Sequence, residues 1–385
     1  MIEDWIHYFS ETDRSITPSF EGGDEERLIH QVSYFHDQSN IDVSGFDVAI
    51  IGVPDARHSV RKGASELPDI ARTYLYGLRQ LSKSMKILDL GNLLGKTVDD
   101  RYSALQDVVA ELCRLNVFPL VIGGGQDYTI PMSKAIKRIN QNFRLAIIDS
   151  KIDWVASVND FSSDGFLSFL CNNEERIPQD ISVIGVQKYL LGQKQEDFIK
   201  QYSFDFLRLG EIRRKGICCA EPWLRDADLV SLDMTSVKQG DQPAHVSPMP
   251  NGFRSEDVCQ LAWYSGLSDK LMAFGLFELD VQKDNQSQGV ALSAQVIWHL
   301  LEGISLRYND YPKKEIDEYK QFIVHLEDYE QDIKFYQNQN NDRWWVEVPV
   351  SHDQTEIVAC DKSDFEKASQ NDIPERWFRF IRKMK

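Results

Sequence analysis

The feature that most constrains the fold is a regular alternation of short apolar runs with amphipathic stretches between residues 46 and 306. Residues 46–54 (FDVAIIGVP) are apolar and end in a Gly/Pro turn, as a buried strand does. Leu67, Ile70, Ala71, Tyr74, Leu75 and Leu78 then recur at helical spacing, which predicts a helix over about 66–82. The same patterns predict strands at 85–91, 117–122, 145–149, 181–186, 228–233 and 271–278. Helices are predicted at 102–115, near 130–140, at 255–266 and at 290–306. Apolar strands alternating with amphipathic helices imply an α/β fold whose mostly parallel sheet is covered on both faces. In such sheets chemistry gathers at the carboxyl ends of the strands.

The flanks differ in character. Residues 1–45 are polar with weak helical patterning and form an N-terminal extension to the 46–306 domain. Residues 313–330 are highly charged at helical spacing. Residues 332–336 and 343–348 predict a hairpin around 338–342, with Trp344 and Trp345 assigned to sheet packing. A terminal helix is expected over 372–381, with Asp372 as N-cap and Pro374 in its first turn. Residues 307–385 are thus expected to form a helix/hairpin appendage packed on the main domain.

Charge and cysteine usage narrow the function classes. A net charge of −17, with no dense basic run, argues against a nucleic-acid or anionic-membrane role. No apolar run has the length of a membrane span, and residues 1–7 do not read as a secretory signal. The six cysteines (Cys113, Cys171, Cys218, Cys219, Cys259 and Cys360) are scattered without a CxxC, and the Cys218-Cys219 pair reads as buried filler. A reducing cytoplasm is the expected location.

Polar groups collect where the strands end. Asp149 and Asp153 follow the apolar run 145–148, and two carboxylates so placed suit a hard divalent cation. Between them stands Lys151, whose protonated amine cannot ligate a metal and whose charge opposes one. Asp233, Glu278 and the run GGGQD at 123–127 also fall at strand ends. The glycines fit neither a P-loop nor a dinucleotide fingerprint and read as a turn for close backbone approach. Asp160 and Asp164 could supply oxygen ligands, although their loop context favours turns. His245, in a Pro-flanked loop, could line a pocket mouth but reads more readily as a surface residue.

At these positions the chain resembles the ureohydrolases: arginase, agmatinase and formimidoylglutamase. Over about 46–306, FDVAIIGVPD at 46–55 is similar to the family's opening strand and KGASELPDIAR at 62–72 to its GxxGPxxIR-like segment. GGGQD at 123–127 sits where the family has GGDHS or GGGHE, DSKID at 149–153 at DAHxD, and SLDMTSVK at 231–238 at SxDxDxxD. SPMPNGFRSE at 247–256 is similar to PxPGGxxxxE, and FELD at 277–280 to an FEVNP-like strand. The resemblance implies an arginase-like three-layer α/β/α fold. It also implies a binuclear manganese centre whose six ligand positions are here Gln126, Asp149, Lys151, Asp153, Asp233 and Thr235. Three carboxylates stand at those positions, and both imidazoles and one carboxylate are replaced. Glu278 falls where the family's glutamate receives the guanidinium or amidine of the substrate.

Three readings follow. The first is a non-catalytic member of the fold with a binding, regulatory or structural role, in which the Lys151 ammonium stands in for a cation among Asp149, Asp153 and Asp233. No cofactor is expected on that reading, and no catalytic residue is assigned. The second is a formimidoylglutamase-like C–N hydrolase of linear amidines, with manganese on Asp149, Asp153 and Asp233 and help from Asp127. The run GGGQD is nearer to GGGHE than to GGDHS, which favours that branch. Against hydrolysis, the loop 154–169 has no histidine, whereas the family's loop there often carries a catalytic one. The third uses Lys151 as a base or Schiff-base amine, although carboxylates around it should raise its pKa. A small amidine or guanidine-like ligand and a homo-oligomer are the expected partners.

Overall fold

A computed structural model describes residues 7–11, 24–35, 42–157, 161–172, 178–312, 319–327, 331–350 and 354–383. Its central sheet contains β1 (Phe9–Ser10), β2 (Val32–Tyr34), β3 (Val48–Gly52), β4 (Ile87–Leu93) and β5 (Phe118–Ile122). It continues with β6 (Arg144–Ile148), β7 (Asp180–Val186), β8 (Asp205–Arg208), β9 (Leu229–Asp233) and β10 (Ala273–Phe277). The order across it is β1-β4-β3-β5-β10-β9-β6-β7-β8, with β2 also on β4. Only β1 is antiparallel to its neighbour.

Burial on both faces explains the continuous apolar strands. Ile50, Leu120, Leu232 and Leu276 point to one side, against α1 (Leu67–Gly77) and residues 255–266 and 288–305. Ile51, Val121, Ile147 and Phe277 point to the other, against α2 (Val98–Arg114), α3 (Thr129–Lys137), α4 (Phe166–Asn172) and α5 (Gln193–Tyr202). This is the predicted three-layer α/β/α arrangement. The remaining helices of the domain are α6 (Leu209–Lys215), α7 (Glu221–Arg225), α8 (Ser255–Gly266) and α9 (Gln288–Ser305). Local signals set the ends. The α2 helix starts earlier than predicted because Thr97 and Asp100 form a reciprocal capping box. The α1 helix stops at Gly77, five residues short of expectation, where Leu78 turns extended.

Both flanks depart from their sequence reading. The described part of the N-terminal extension adds two short strands to the sheet and otherwise forms single 3-10 turns at Asp24–Glu26, Leu28–Gln31 and Val43–Gly45. Within 313–330, residues 313–318 and 328–330 lie outside the described residues, and β11 (Lys320–Leu326) is a strand, which corrects the helical expectation. Phe322, Val324 and Leu326 turn to a core while Ile323 faces out, so a period of two wins over the helix-favouring charged residues. The expected hairpin is present as β12 (Gln331–Gln337) and β13 (Trp344–Pro349) inside a four-stranded antiparallel sheet completed by β14 (Thr355–Cys360). Trp344 and Trp345 are both buried. The α10 helix (Lys362–Ala368) was not anticipated, and α11 (Glu375–Lys383) begins after Pro374 rather than at Asp372.

This C-terminal unit docks on the amino ends of the parallel strands. Arg144, the first residue of β6, reaches Glu356 at 2.8 Å. Asp226 accepts from the Ala359 amide at 2.8 Å and pairs with Arg376. Lys383 bridges Asp180 and Asp205, the first residues of β7 and β8, at 2.5 and 2.6 Å. The carboxyl ends of the strands are left uncovered by it.

Candidate functional site

The sheet order places β5, β10, β9 and β6 side by side. Their ends are level: Ile122 pairs with Leu276, Phe277 with Asp233, and Ile148 with Leu232. Polar side chains at or just past these ends therefore converge on one pocket: Asp233 closes β9, and Asp149 and Glu278 directly follow β6 and β10. Asp149, Asp153 and Asp233 meet there, buried, with one oxygen from each within 4.8 Å of the others. This is the one cluster of possible metal-binding side chains among the described residues. Asp149 Oδ2, Asp233 Oδ2 and Gln126 Oε1 are buried without a hydrogen-bond partner among those residues.

Gln126 and Thr235 are brought to the same pocket by short turns. The Gln126 amide donates to Glu278 Oε1 at 2.7 Å, and its side chain donates to Ser231 at 3.1 Å. The Thr235 amide donates to Asp233 Oδ1 at 2.6 Å. The glycine run allows this packing. Gly123 and Gly124 have φ of +88° and +79°. A Cβ on Gly123 would lie 2.5 Å from Pro68, and one on Gly124 would lie 2.7 Å from the Asp55 carbonyl.

Lys151 does not sit evenly among the three aspartates. Its ammonium is 2.9 Å from Asp153 and 2.5 Å from Asp164, so Asp164 supplies the contact that was expected from Asp149 and Asp233. Asp164 has a pocket role rather than only a turn role, whereas Asp160 lies outside the described residues. Asp127 does not join the three aspartates. It accepts from Tyr102 and lies 3.2 Å from His58 Nδ1. His245 is buried rather than on the surface, with Nε2 2.8 Å from the Val237 carbonyl. Cys218 is exposed, which corrects its reading as buried filler.

The residue that sequence reasoning missed is Arg61. It follows β3 in a polar loop and belongs to no recognised motif. Its guanidinium is 3.0 Å from Glu278 Oε2 and 3.0 Å from Asp164. Ser59 donates to the same Glu278 oxygen at 2.6 Å. Both oxygens of Glu278 are thus engaged by the chain itself, and Glu278 is held at a left-handed φ of +66°. The missed signal was positional: this loop leaves the carboxyl end of a strand adjacent to β5.

Burial and charge act against each other in this pocket. Burial raises the Asp149 carboxyl well above the usual range, helped by Asp153 and Asp233. Burial pushes Asp153 to about 6 against the pull of Lys151, and Asp233 to about 6 against the pull of Arg61. Glu278 is also raised by burial. Asp164 goes the other way: burial opposes its charge, but Lys151 and Arg61 hold it at about 2. Lys151 is likewise desolvated, yet Asp153, Asp164 and Asp149 raise it well above its ordinary value. It stays protonated at neutral pH.

Comparisons place this geometry among known proteins. The sequence profile of the Arginase family matches residues 46–302. A formimidoylglutamase of Clostridium tetani is 22% identical over 276 residues, covering 66% of this chain and 80% of that protein. The crystal structure of formimidoylglutamase from Bacillus subtilis superposes with a TM-score of 0.67 at 21% identity, over 77% of this chain and 97% of that one. Trypanosoma cruzi formiminoglutamase with Mn2+ gives 0.64 at 21% identity, over 70% of this chain and 97% of that one. A profile match across two-thirds of the sequence, on an arginase-like sheet with its polar residues at the strand ends, makes this chain a member of the arginase family.

Proposed function

We propose that this chain is a non-catalytic arginase-family protein with a binding, regulatory or structural role, in which side-chain cations fill the pocket. The observation that carries the reading is the Lys151 ammonium, fixed against Asp153 and Asp164 at a ligand position. A two-ion manganese centre does not fit this donor set. The protonated Lys151 repels a cation, Gln126 offers only a neutral amide oxygen, and Thr235 cannot bridge two ions as a carboxylate does. Arg61 supports the same reading, because its guanidinium already occupies the carboxylate that a guanidinium or amidine ligand would need. The charge on Lys151 also speaks against its use as a base or Schiff-base amine. A cytoplasmic location and self-association belong to this proposal, and a small amidine or guanidine-like ligand would bind only by displacing Arg61 from Glu278.

The second reading is a formimidoylglutamase-like hydrolase with a reduced metal site. It is favoured by the three converging aspartates and the unpartnered oxygens of Asp149 and Asp233. The deciding measurement is the manganese content of the full chain after incubation with Mn2+ and desalting. Near-zero metal is expected; one or two equivalents per chain would overturn the first reading and support the second. The variant Lys151→His/Gln126→His/Thr235→Asp is expected to gain manganese. Failure of that variant to bind would mean that the ligand positions are misassigned.

A further inference from the structure

A second cavity, outside the acidic pocket, has the opposite charge. It occupies about 800 Å3 at the carboxyl ends of β7 and β8 and is lined by Lys188, Arg208, Arg213, Arg214, Lys238 and Arg254, with Glu211 as its one carboxylate. Six cations on one concavity stand out in a chain of net charge −17. Arg208, Arg213 and Arg214 lie in one stretch of seven residues, and the fold adds Lys188, Lys238 and Arg254 from elsewhere in the chain.

Half of these cations are committed to the protein. Lys188 pairs with Glu196, Arg213 with Asp257 at 2.7 Å, and Lys238 with Asp241 at 3.0 Å. The side chains of Arg208, Arg214 and Arg254 have no ion pair or hydrogen bond among the described residues, and all three are exposed. The Arg208 guanidinium has the Phe206 ring beside it, at 5.6 Å. Arginines without a carboxylate partner around a concave surface repel one another, and a multiply charged anion relieves that repulsion. Arginine forks match phosphoryl oxygens in geometry as well as charge. The cavity has the size of a small-molecule site, not of a duplex or protein footprint.

We propose that this cavity binds a phosphorylated small molecule. Tyr189 stands on its wall with its side chain largely exposed and its hydroxyl tied to Gln187 Oε1 at 2.5 Å, which fixes a ring face beside the cations. A ligand with a planar ring next to its phosphates gains stacking there. The Gln187 amide donates at 2.9 Å to the carbonyl of Ser150, so the cavity wall is joined to the loop that carries Asp149 and Asp153.

The test is calorimetric titration of the full chain with pyrophosphate and with ADP, at 50 and 150 mM salt. The proteins are wild type, Arg208→Ala/Arg254→Ala, and Lys83→Ala/Lys134→Ala, which removes two exposed cations elsewhere. Wild type is expected to bind both ligands, ADP more tightly, with at least a tenfold loss in the arginine variant and no change in the lysine variant. Saturable binding of pyrophosphate alone would still uphold the site while removing Tyr189 from it. No binding at millimolar ligand, or equal weakening in the two double variants, would overturn the proposal. The substituted side chains are exposed, so thermal melting is expected to match wild type and to keep misfolding out of the comparison.

Discussion

Replacing Arg61 by alanine isolates a buried electrostatic contact of the acidic pocket, its pairing with Glu278. The Arg61 side chain is 11% exposed and Glu278 1%, so solvent screens the pair little. Removing one partner of a buried ion pair costs about 3–5 kcal/mol, because the other charge stays buried without compensation. Proton uptake by Glu278, whose pKa burial already raises, places the expected loss at the lower end. An unfolding entropy of about 2.1 cal/mol/K per residue gives roughly 0.8 kcal/mol/K for 385 residues. The melting temperature should therefore fall by about 4 °C. The variant also leaves a guanidinium-sized vacancy above Glu278. Guanidinium at low millimolar concentration should refill it and restore stability by RT ln(1 + [L]/Kd), about 2.7 kcal/mol at a hundredfold excess over Kd. The assay is thermal melting of wild type and Arg61→Ala against guanidinium chloride, with sodium chloride at matched ionic strength. A variant that melts within 1 °C of wild type, or responds equally to both salts, would refute the assignment of Arg61 as an internal ligand of Glu278.

Other expectations are more local. Asp233 has a folded pKa of about 6 against an unfolded value near 4, so its contribution to stability is complete below about pH 4 and lost as pH rises through 6. In chelator, Asp233→Asn should be less destabilised by raising the pH from 4 to 7 than wild type, as read by urea unfolding; identical pH dependences would contradict the raised pKa. Asp55 shows the opposite sign: despite burial, Arg57, Tyr128 and Arg101 depress its pKa, so its stabilisation is present above about pH 4 and lost in acid. Asp55→Asn should flatten the acid limb of the unfolding profile. Gly124→Ala meets both a left-handed φ and the Asp55 carbonyl, and should cost at least about 1–2 kcal/mol in chemical denaturation. Arg376→Ala leaves Asp226 buried and should speed hydrogen exchange across β13 and β14, and unchanged exchange would remove the pair from the docking interface.

The sheet was legible because its signal is local. A strand buried on both faces must be largely apolar: β3, β5 and β10 are so throughout, and β6 and β9 are so except at Arg144, Ser231 and Asp233. The positions of Asp149, Asp153, Asp233 and Glu278 followed from the rule that loops after parallel strands share one side. Their partners were less legible, because a loop conformation chooses them: Asp164 stood only as one of two loop carboxylates, and Arg61 belonged to no motif. The Lys320–Leu326 strand was misread for a related reason. The charged residues around it in 313–330 favour helix, and only pairing with β12 reveals the alternation that matters. The basic cavity escaped notice because only Arg208, Arg213 and Arg214 are neighbours in sequence, and the fold brings Lys188, Lys238 and Arg254 to them.

The docking of the C-terminal unit on the amino ends of the strands sets an order of events during synthesis. Arg144, Asp180, Asp205 and Asp226 are made long before Glu356, Arg376 and Lys383, the groups that neutralise them. At translation of about 5–20 residues per second, the emerging sheet waits several seconds with uncompensated charges at its base. A ribosome halted before residue 356 leaves a nearly complete α/β domain whose underside is open to water and to quality-control proteases. The segment made after the sheet is therefore its seal, and its arrival closes the underside.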